Sequence, residues 1–401
     1  MFSAILWIAA WLSLFSVLHH KQRMRIMTHL ARVVPQLRRL HDERNALLEA
    51  LAECRLRLRR QHDQRNALLR DLRERRRRLR QLQARRNDLL QELGKCQERL
   101  ESSEGSPFLF YNAAFDPIAV IRRHAVSDLV AHPGYLTNFL GVLIDPKFFP
   151  GLLDGREGEI EPVPIPANWH ADIAEWGAAL RAVDLARGSF TVVELGCGWG
   201  CWLNNTGSAA RRLGLDVNLV GIEGEPGHLE FARQSCTQNG FVSEQLTLRH
   251  GIAAARTGFA LFPRQYQSGA QWGLEPIFGA TEEEQAQAIA TASHDVVPMV
   301  ALGDLLDPLP RVDLLHIDIQ GGEADLIDAC RSLLEEKVAY LLVGTHSRQI
   351  EGRIMTTLLA SGWELEIERP AIFVPEPGGP RITVDGVQGW RNPRLLASVQ
   401  S

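Results

Sequence analysis

A glycine-spaced turn at the end of an apolar strand constrains this chain more than any other stretch. Thr191-Val192-Val193-Glu194-Leu195 runs through one acid, and Gly196-Cys197-Gly198-Trp199-Gly200 follows at once. β-Branched runs favour buried strands. Gly196, Gly198 and Gly200 then let the backbone turn tightly and approach a bound molecule with no Cβ in the way. The spacing excludes the dinucleotide fingerprint G-x-G-x-x-G, because Cys201 stands where its third glycine would be.

Strands and helices alternate from there on. The pattern predicts helices over 170–187, 209–213 and 228–238, and strands over 217–222, 245–250, 312–319 and 338–343. Such alternation implies a mostly parallel sheet with helices on both faces, an α/β fold. Glu223 closes the second strand, where a carboxylate can accept hydrogen bonds from a ribose diol. E-x-G-x-G-x-G resembles motif I of the class I S-adenosylmethionine-dependent methyltransferases. That resemblance implies a Rossmann-like sheet and S-adenosyl-L-methionine as cofactor. The implied cofactor contacts are Glu194, Gly196, Gly198, Gly200 and Glu223, with Gly251 and Ile252 at the adenine edge.

Two later segments narrow the resemblance. V-D-L-L-H-I-D-I-Q-G-G-E ends at Glu323, and G-T-H-S-x-x-I-E starts at Gly344. Together they are similar to the FkbM-type methyltransferases, whose signature reads approximately D-h-h-K-h-D-h-E-G-x-E, over roughly residues 190–370. His316 departs from the usual Lys and Gln320 from the usual Glu. The resemblance implies methyl transfer to oxygen, typically a hydroxyl of a glycan, glycolipid or small metabolite. Positioning supplies much of the rate in such a displacement, and the hydroxyl must also lose its proton to a group within reach. Asp318 and His346, at the exits of the fourth and fifth strands, open onto one cleft. The roles expected are His346 as general base, with Asp318 and Glu323 orienting the acceptor or the sulfonium. His316 is expected to be a core histidine. Asp318, Glu323 and His346 could ligate Mg²⁺, but no spacing rule is met and no metal is expected. His170, Asp172 and Glu175 lie near the start of the helix over 170–187, where they could face a substrate cleft but acids also complement the dipole, the reading favoured. The insertion 257–300, with Phe259, Phe262, Tyr266, Trp272 and Phe278, reads as a lid.

The N-terminal quarter is different in kind. Residues 1–105 hold 23 Lys and Arg against 12 Asp and Glu, a net +11, so the remainder is at −15 within a chain total of −4. Residues 1–18 are almost wholly apolar, at the short end of what spans a bilayer. No basic n-region or cleavage site accompanies them, and the positive charges follow instead. By the positive-inside rule the expectation is an uncleaved single-pass anchor in the inner membrane, with the catalytic domain in the cytoplasm. From Leu37 a leucine seam repeats over nine heptads, and the pentamers at Arg44, Arg65 and Arg86 recur every 21 residues. This predicts a coiled coil and a parallel homodimer. The run 73–80 is rich in arginine but lacks aromatic stacking residues, so solvent or anionic lipid is favoured over nucleic acid. Six cysteines without a C-x-x-C pair give neither a disulfide framework nor a zinc signature. The expected organisation is an anchor (1–18), a basic juxtamembrane segment (19–36), a coiled coil (37–103) and a linker with a lead-in cap (104–168). A methyltransferase domain (169–375) and a C-terminal tail (376–401) complete it.

Overall fold

The computed structural model describes residues 20–29, 34–35, 38–39, 42–59, 61–62, 64–65, 68, 75, 78 and 106–396. The chain divides into two compact units, Met1–Ser102 and Ser103–Ser401. In the first, residues 20–29 and 42–59 are helical. The seam leucines Leu47, Leu51 and Leu58 are exposed on this single chain. Much of the expected coil, and all of the expected anchor at 1–18, lies outside the described residues.

The expected inner-membrane placement is corrected by one finding: among the described residues, no helix is long and apolar enough to cross a membrane. The helix over 20–29 carries Lys21, Arg23 and Arg25 within its ten residues. It would extend about 15 Å, half of a hydrocarbon core.

The second unit opens with β1 (Asn112–Ala113), α1 (Pro117–His124) and the hairpin β2 (Leu136–Thr137) and β3 (Leu143–Ile144). Then come α2 (Ile173–Leu185), β4 (Ser189–Leu195), α3 (Cys201–Arg212), β5 (Asp216–Glu223), α4 (Pro226–Gln238) and β6 (Leu246–His250). The segment read as a long lid is a small sheet with its own helix: β7 (Ile252–Ala254), β8 (Gly258–Pro263), β9 (Ile277–Phe278), α5 (Glu282–Thr291) and β10 (His294–Ala301). After it come α6 (Leu302–Leu306), β11 (Leu314–Ile317), α7 (Glu323–Lys337), β12 (Tyr340–Thr345), α8 (Arg348–Ala360) and β13 (Glu364–Arg369). The hairpin β14 (Ile372–Glu376) and β15 (Gly379–Val384) leads into β16 (Gly386–Arg391).

The main sheet has eight strands in the order β1-β13-β16-β12-β11-β4-β5-β6. From β4 the chain moves outward through β5 and β6, then returns to place β11 on β4's other side, all in parallel. That reversal opens a crevice at the carboxyl ends of β4 and β11, where doubly wound sheets bind their ligands. This is the Rossmann-like methyltransferase architecture. One face of the sheet packs on α2 and α3 through Trp176, Phe190 and Trp202. The other packs on α7 and α8 through Ile327, Leu334 and Ile354.

The structure places part of the expected tail inside the sheet. β16 runs antiparallel between β12 and β13 with every residue buried. Its two glycines and a glutamine give little strand signal. Gly389 is nonetheless required, since a Cβ there would come within 2.6 Å of Ile367 Cγ2. Trp390 is fully buried among the residues of the α7 and α8 face. Trp390→Ala should therefore cost about 3–5 kcal/mol, read as a lowered urea midpoint. An unchanged midpoint would contradict an internal β16.

Candidate functional site

The first wall of the crevice is the glycine turn. Gly196 and Cys197 both donate their N–H groups to Ile222 O, at 3.0 and 2.9 Å, which hooks the turn onto the end of β5. Gly196 has a φ of +75°. A Cβ on it would stand 2.2 Å from the carbonyl oxygen of Asp318, so only glycine fits. Glu194 is taken up by the backbone that follows the turn. Its buried carboxylate accepts from the N–H groups of Trp202 (3.2 Å) and Leu203 (3.1 Å) and so fixes the start of α3. Burial pushes its pKa up to about 8 against the pull of those two bonds.

Glu223 joins the turn to the next helix. One oxygen accepts from Gly198 N and the other from Glu225 N, each at 2.9 Å. Burial raises its pKa, and the backbone bonds oppose that rise. Gly251 donates its N–H to the carbonyl of Glu223 at 2.9 Å, and Ile252 begins β7 as a buried residue. Glu223, Gly251, Ile252 and the turn thus share one corner.

The second wall is built at the exits of β11 and β12. Beyond β11, Gln320 adopts a left-handed φ of 57°, and the chain curls back so that Glu323 opens α7. Glu323 is fully buried. It accepts from Ile319 N (3.2 Å), from Gly321 N (3.0 Å) and from His346 Nδ1 (2.9 Å). The other ring nitrogen of His346 lies 3.3 Å from Asp318 Oδ1. Gln320 Nε2 donates to that same oxygen at 3.0 Å. Asp318 keeps 42% of its side chain exposed, so it is the member of the trio open to the crevice.

These contacts set the charges. Burial alone would lower the pKa of His346, but the hydrogen bonds and charges of Asp318 and Glu323 raise it to about 10. At neutral pH it is an imidazolium. Burial raises the Asp318 carboxyl, and the His346 bond and charge more than reverse this, leaving it below its ordinary value. His316 is buried, with Nδ1 3.9 Å from Glu194 Oε1 and no hydrogen-bond partner. Burial lowers its pKa to about 4. His170 lies against Trp199 and Trp202, at 5.9 and 6.2 Å between ring centres. Burial and the charge of His316 likewise lower it to about 4. Of these three imidazoles one is charged and two are neutral.

Asp172 and Glu175 have helix-capping roles. Asp172 accepts from Ala174 N at 2.7 Å and pairs with Arg369, while Glu175 accepts from Asp172 N at 3.0 Å, a reciprocal box at the start of α2. Asp385, exposed just before β16, had gone unnoticed in the sequence. It adds a carboxylate to the electrostatic surroundings of His346 and Asp318. Asp318, Glu323 and His346 offer ligand atoms within 4.8 Å of one another, a donor set that could hold a divalent cation. Each ring nitrogen of His346 already faces a carboxylate, so a proton on His346 supplies the positive charge this arrangement requires.

The imidazolium has a thermodynamic signature. A histidine raised from about 6.5 in the unfolded chain stabilises the fold fully below that pH. Its contribution is lost as the pH climbs through about 10. Wild-type stability should fall across this window by on the order of 2 kcal/mol more than that of His346→Gln. Urea titrations of both proteins at pH 6.5 and 10 measure it, and parallel losses would refute the double clamp.

No family model matches the chain. A protein of Jannaschia sp. (strain CCS1) described as "Putative methyltransferase" is 44% identical over 275 residues, covering 69% of this chain and 98% of that protein. Among solved structures, methyltransferase FkbM from Methylobacillus flagellatus KT is 13% identical, covers 54% of each chain and has a TM-score of 0.33. Precorrin-6y C5,15-methyltransferase from Geobacter metallireducens GS-15 is 12% identical, covers 53% of this chain and 86% of that one, and has a TM-score of 0.29. Neither score bears on the fold, which rests on the strand order itself. The identity to the Jannaschia protein, over nearly its whole length, shows that this chain belongs to the methyltransferase family.

Proposed function

We propose that the chain is an S-adenosylmethionine-dependent O-methyltransferase whose acceptor is a hydroxyl of a glycan or a related small metabolite. The observation that carries this reading is the placement of Asp318. Its backbone presses on the glycine turn, while its half-exposed carboxylate opens into the crevice under the grip of His346 and Gln320. The cofactor, when bound, supplies a methyl group on a positively charged sulfur. Glu223 and the backbone of Gly196 and Gly198 would hold it, and Gly251 and Ile252 would border its base.

Asp318 accepts the hydrogen bond of the acceptor hydroxyl and aims a lone pair of that oxygen at the methyl carbon. As the carbon–oxygen bond forms, the oxygen gains positive charge and its proton becomes strongly acidic. A carboxylate held below its ordinary pKa can then take the proton as the carbon–sulfur bond breaks. His346, already an imidazolium, fixes the carboxylate rather than serving as the first base. This exchanges the roles expected from the sequence, because a histidine between two carboxylates has no free lone pair to offer.

Titration calorimetry and turnover on the full chain test the assignment. Glu223→Ala should weaken S-adenosylmethionine binding about tenfold or more, since a charged hydrogen-bonding partner is lost. Asp318→Asn should lower kcat by about 10²-fold or more with the dissociation constant nearly unchanged. A wild-type protein that binds no S-adenosylmethionine would sink the reading.

A further inference from the structure

The stretch between β8 and β9 lies directly across the cofactor corner. Ser268 is seated on Gly227 at the start of α4, so closely that a Cβ on that glycine would overlap its hydroxyl. Gly269 donates its N–H to Nε2 of His228 at 3.2 Å. Farther on, a Cβ at Gly273 would stand 3.3 Å from Gln320 Oε1, beyond the exit of β11. The segment thus bridges both walls of the crevice.

Trp272 sits in the middle of this bridge. One face of its indole stacks on His228, with centres 3.9 Å apart and planes 2° from parallel. The other face stacks on Phe149 at 4.4 Å and 18°. Its edge covers the open side of Gly198, where a Cβ would come within 2.9 Å of Cζ3. The indole N–H is buried without a hydrogen-bond partner.

We propose that Trp272 is a displaceable plug of the cofactor site, holding the place of the nucleoside until the lid opens. This role rests on the assignment of Gly198 and Glu223 to the cofactor made above. With both faces covered, the indole cannot stack on a further ring, so it does not serve as a platform for a bound base. A ligand that contacts the backbone of Gly198 needs the volume the indole fills, and the two exclude each other. Displacement leaves a slot walled by Phe149 and His228, two flat rings suited to the heterocycle of an adenosyl group. The stacks favour the closed state, and the unpaired N–H opposes it. A closed state held by such opposing terms opens without the domain unfolding. The apparent affinity for cofactor is then reduced by the fraction of molecules that are open.

Binding of S-adenosylhomocysteine to the full chain tests this, by stopped-flow mixing and at equilibrium. Trp272→Ala should associate about tenfold faster and bind more tightly, while Trp272→Phe stays near wild type because a ring still fills the slot. An association rate in Trp272→Ala within about twofold of wild type, or weaker binding, would overturn the plug. Saturating ligand should also shift wild-type tryptophan emission to the red as a buried indole reaches water, and Trp272→Phe should lose that shift. An emission spectrum that does not move in the wild type counts against displacement, even if the alanine variant fails to fold. Failure of the wild type to bind S-adenosylmethionine and S-adenosylhomocysteine alike would instead reject the cofactor assignment underneath.

Discussion

The approach of Gly196 to the carbonyl of Asp318 is the constraint on which the rest of the crevice depends. No side chain could stand between the turn after β4 and the exit of β11. The glycine turn and the residue that carries the Asp318 carboxylate are therefore held together by a backbone contact alone. Methyl transfer gains most from such fixed positioning, because misplacing the two reactants by about 1 Å is costly. The parallel pairing of β4 with both β5 and β11 keeps that approach rigid.

Around this contact, buried carboxylates serve as anchors for backbone N–H groups. Glu194 fixes the start of α3, Glu223 ties the turn to α4, and Glu323 holds the curl between β11 and α7. Glu351 does the same for Ala371 after β13, and its other oxygen meets Arg348. Each takes donors that would otherwise be buried and unpaired, a costly state. The consequence is selective: of the acids at the exits of β4, β5 and β11, Asp318 is the one left substantially open. An acidic residue in a motif is thus a weak guide to chemistry until its hydrogen bonds are known.

What could be read in advance follows from what each feature depends on. The glycine turn, Glu223 and the strands after them were legible because sequence-local periodicity and spacing produce them. The strand at Gly386–Arg391 was not, because its place between β12 and β13 comes from tertiary pairing that overrides two glycines. The insertion read as a lid does cross the crevice, but its own four-stranded sheet was hidden among short runs with little alternation. The place of His346 at the exit of β12 was recognisable from the sequence. Its protonation was not, since that depends on two carboxylates 28 and 23 residues away meeting both ring nitrogens. The ring sandwich at Trp272 joins residues 149, 228 and 272, a juxtaposition no spacing rule describes.

Charge conservation gives a reason for clustering carboxylates at the site proposed to bind a neutral hydroxyl. Asp318, Glu323 and Asp385 surround one imidazolium, so the crevice carries excess negative charge and favours a cationic donor. In the proposed transfer, the proton that the acceptor loses goes to these carboxylates as the positive charge on sulfur is lost. Under this mechanism the crevice keeps its net charge through the chemical step. Little solvent reorganisation is then required, which is the condition under which preorganised groups accelerate a reaction most.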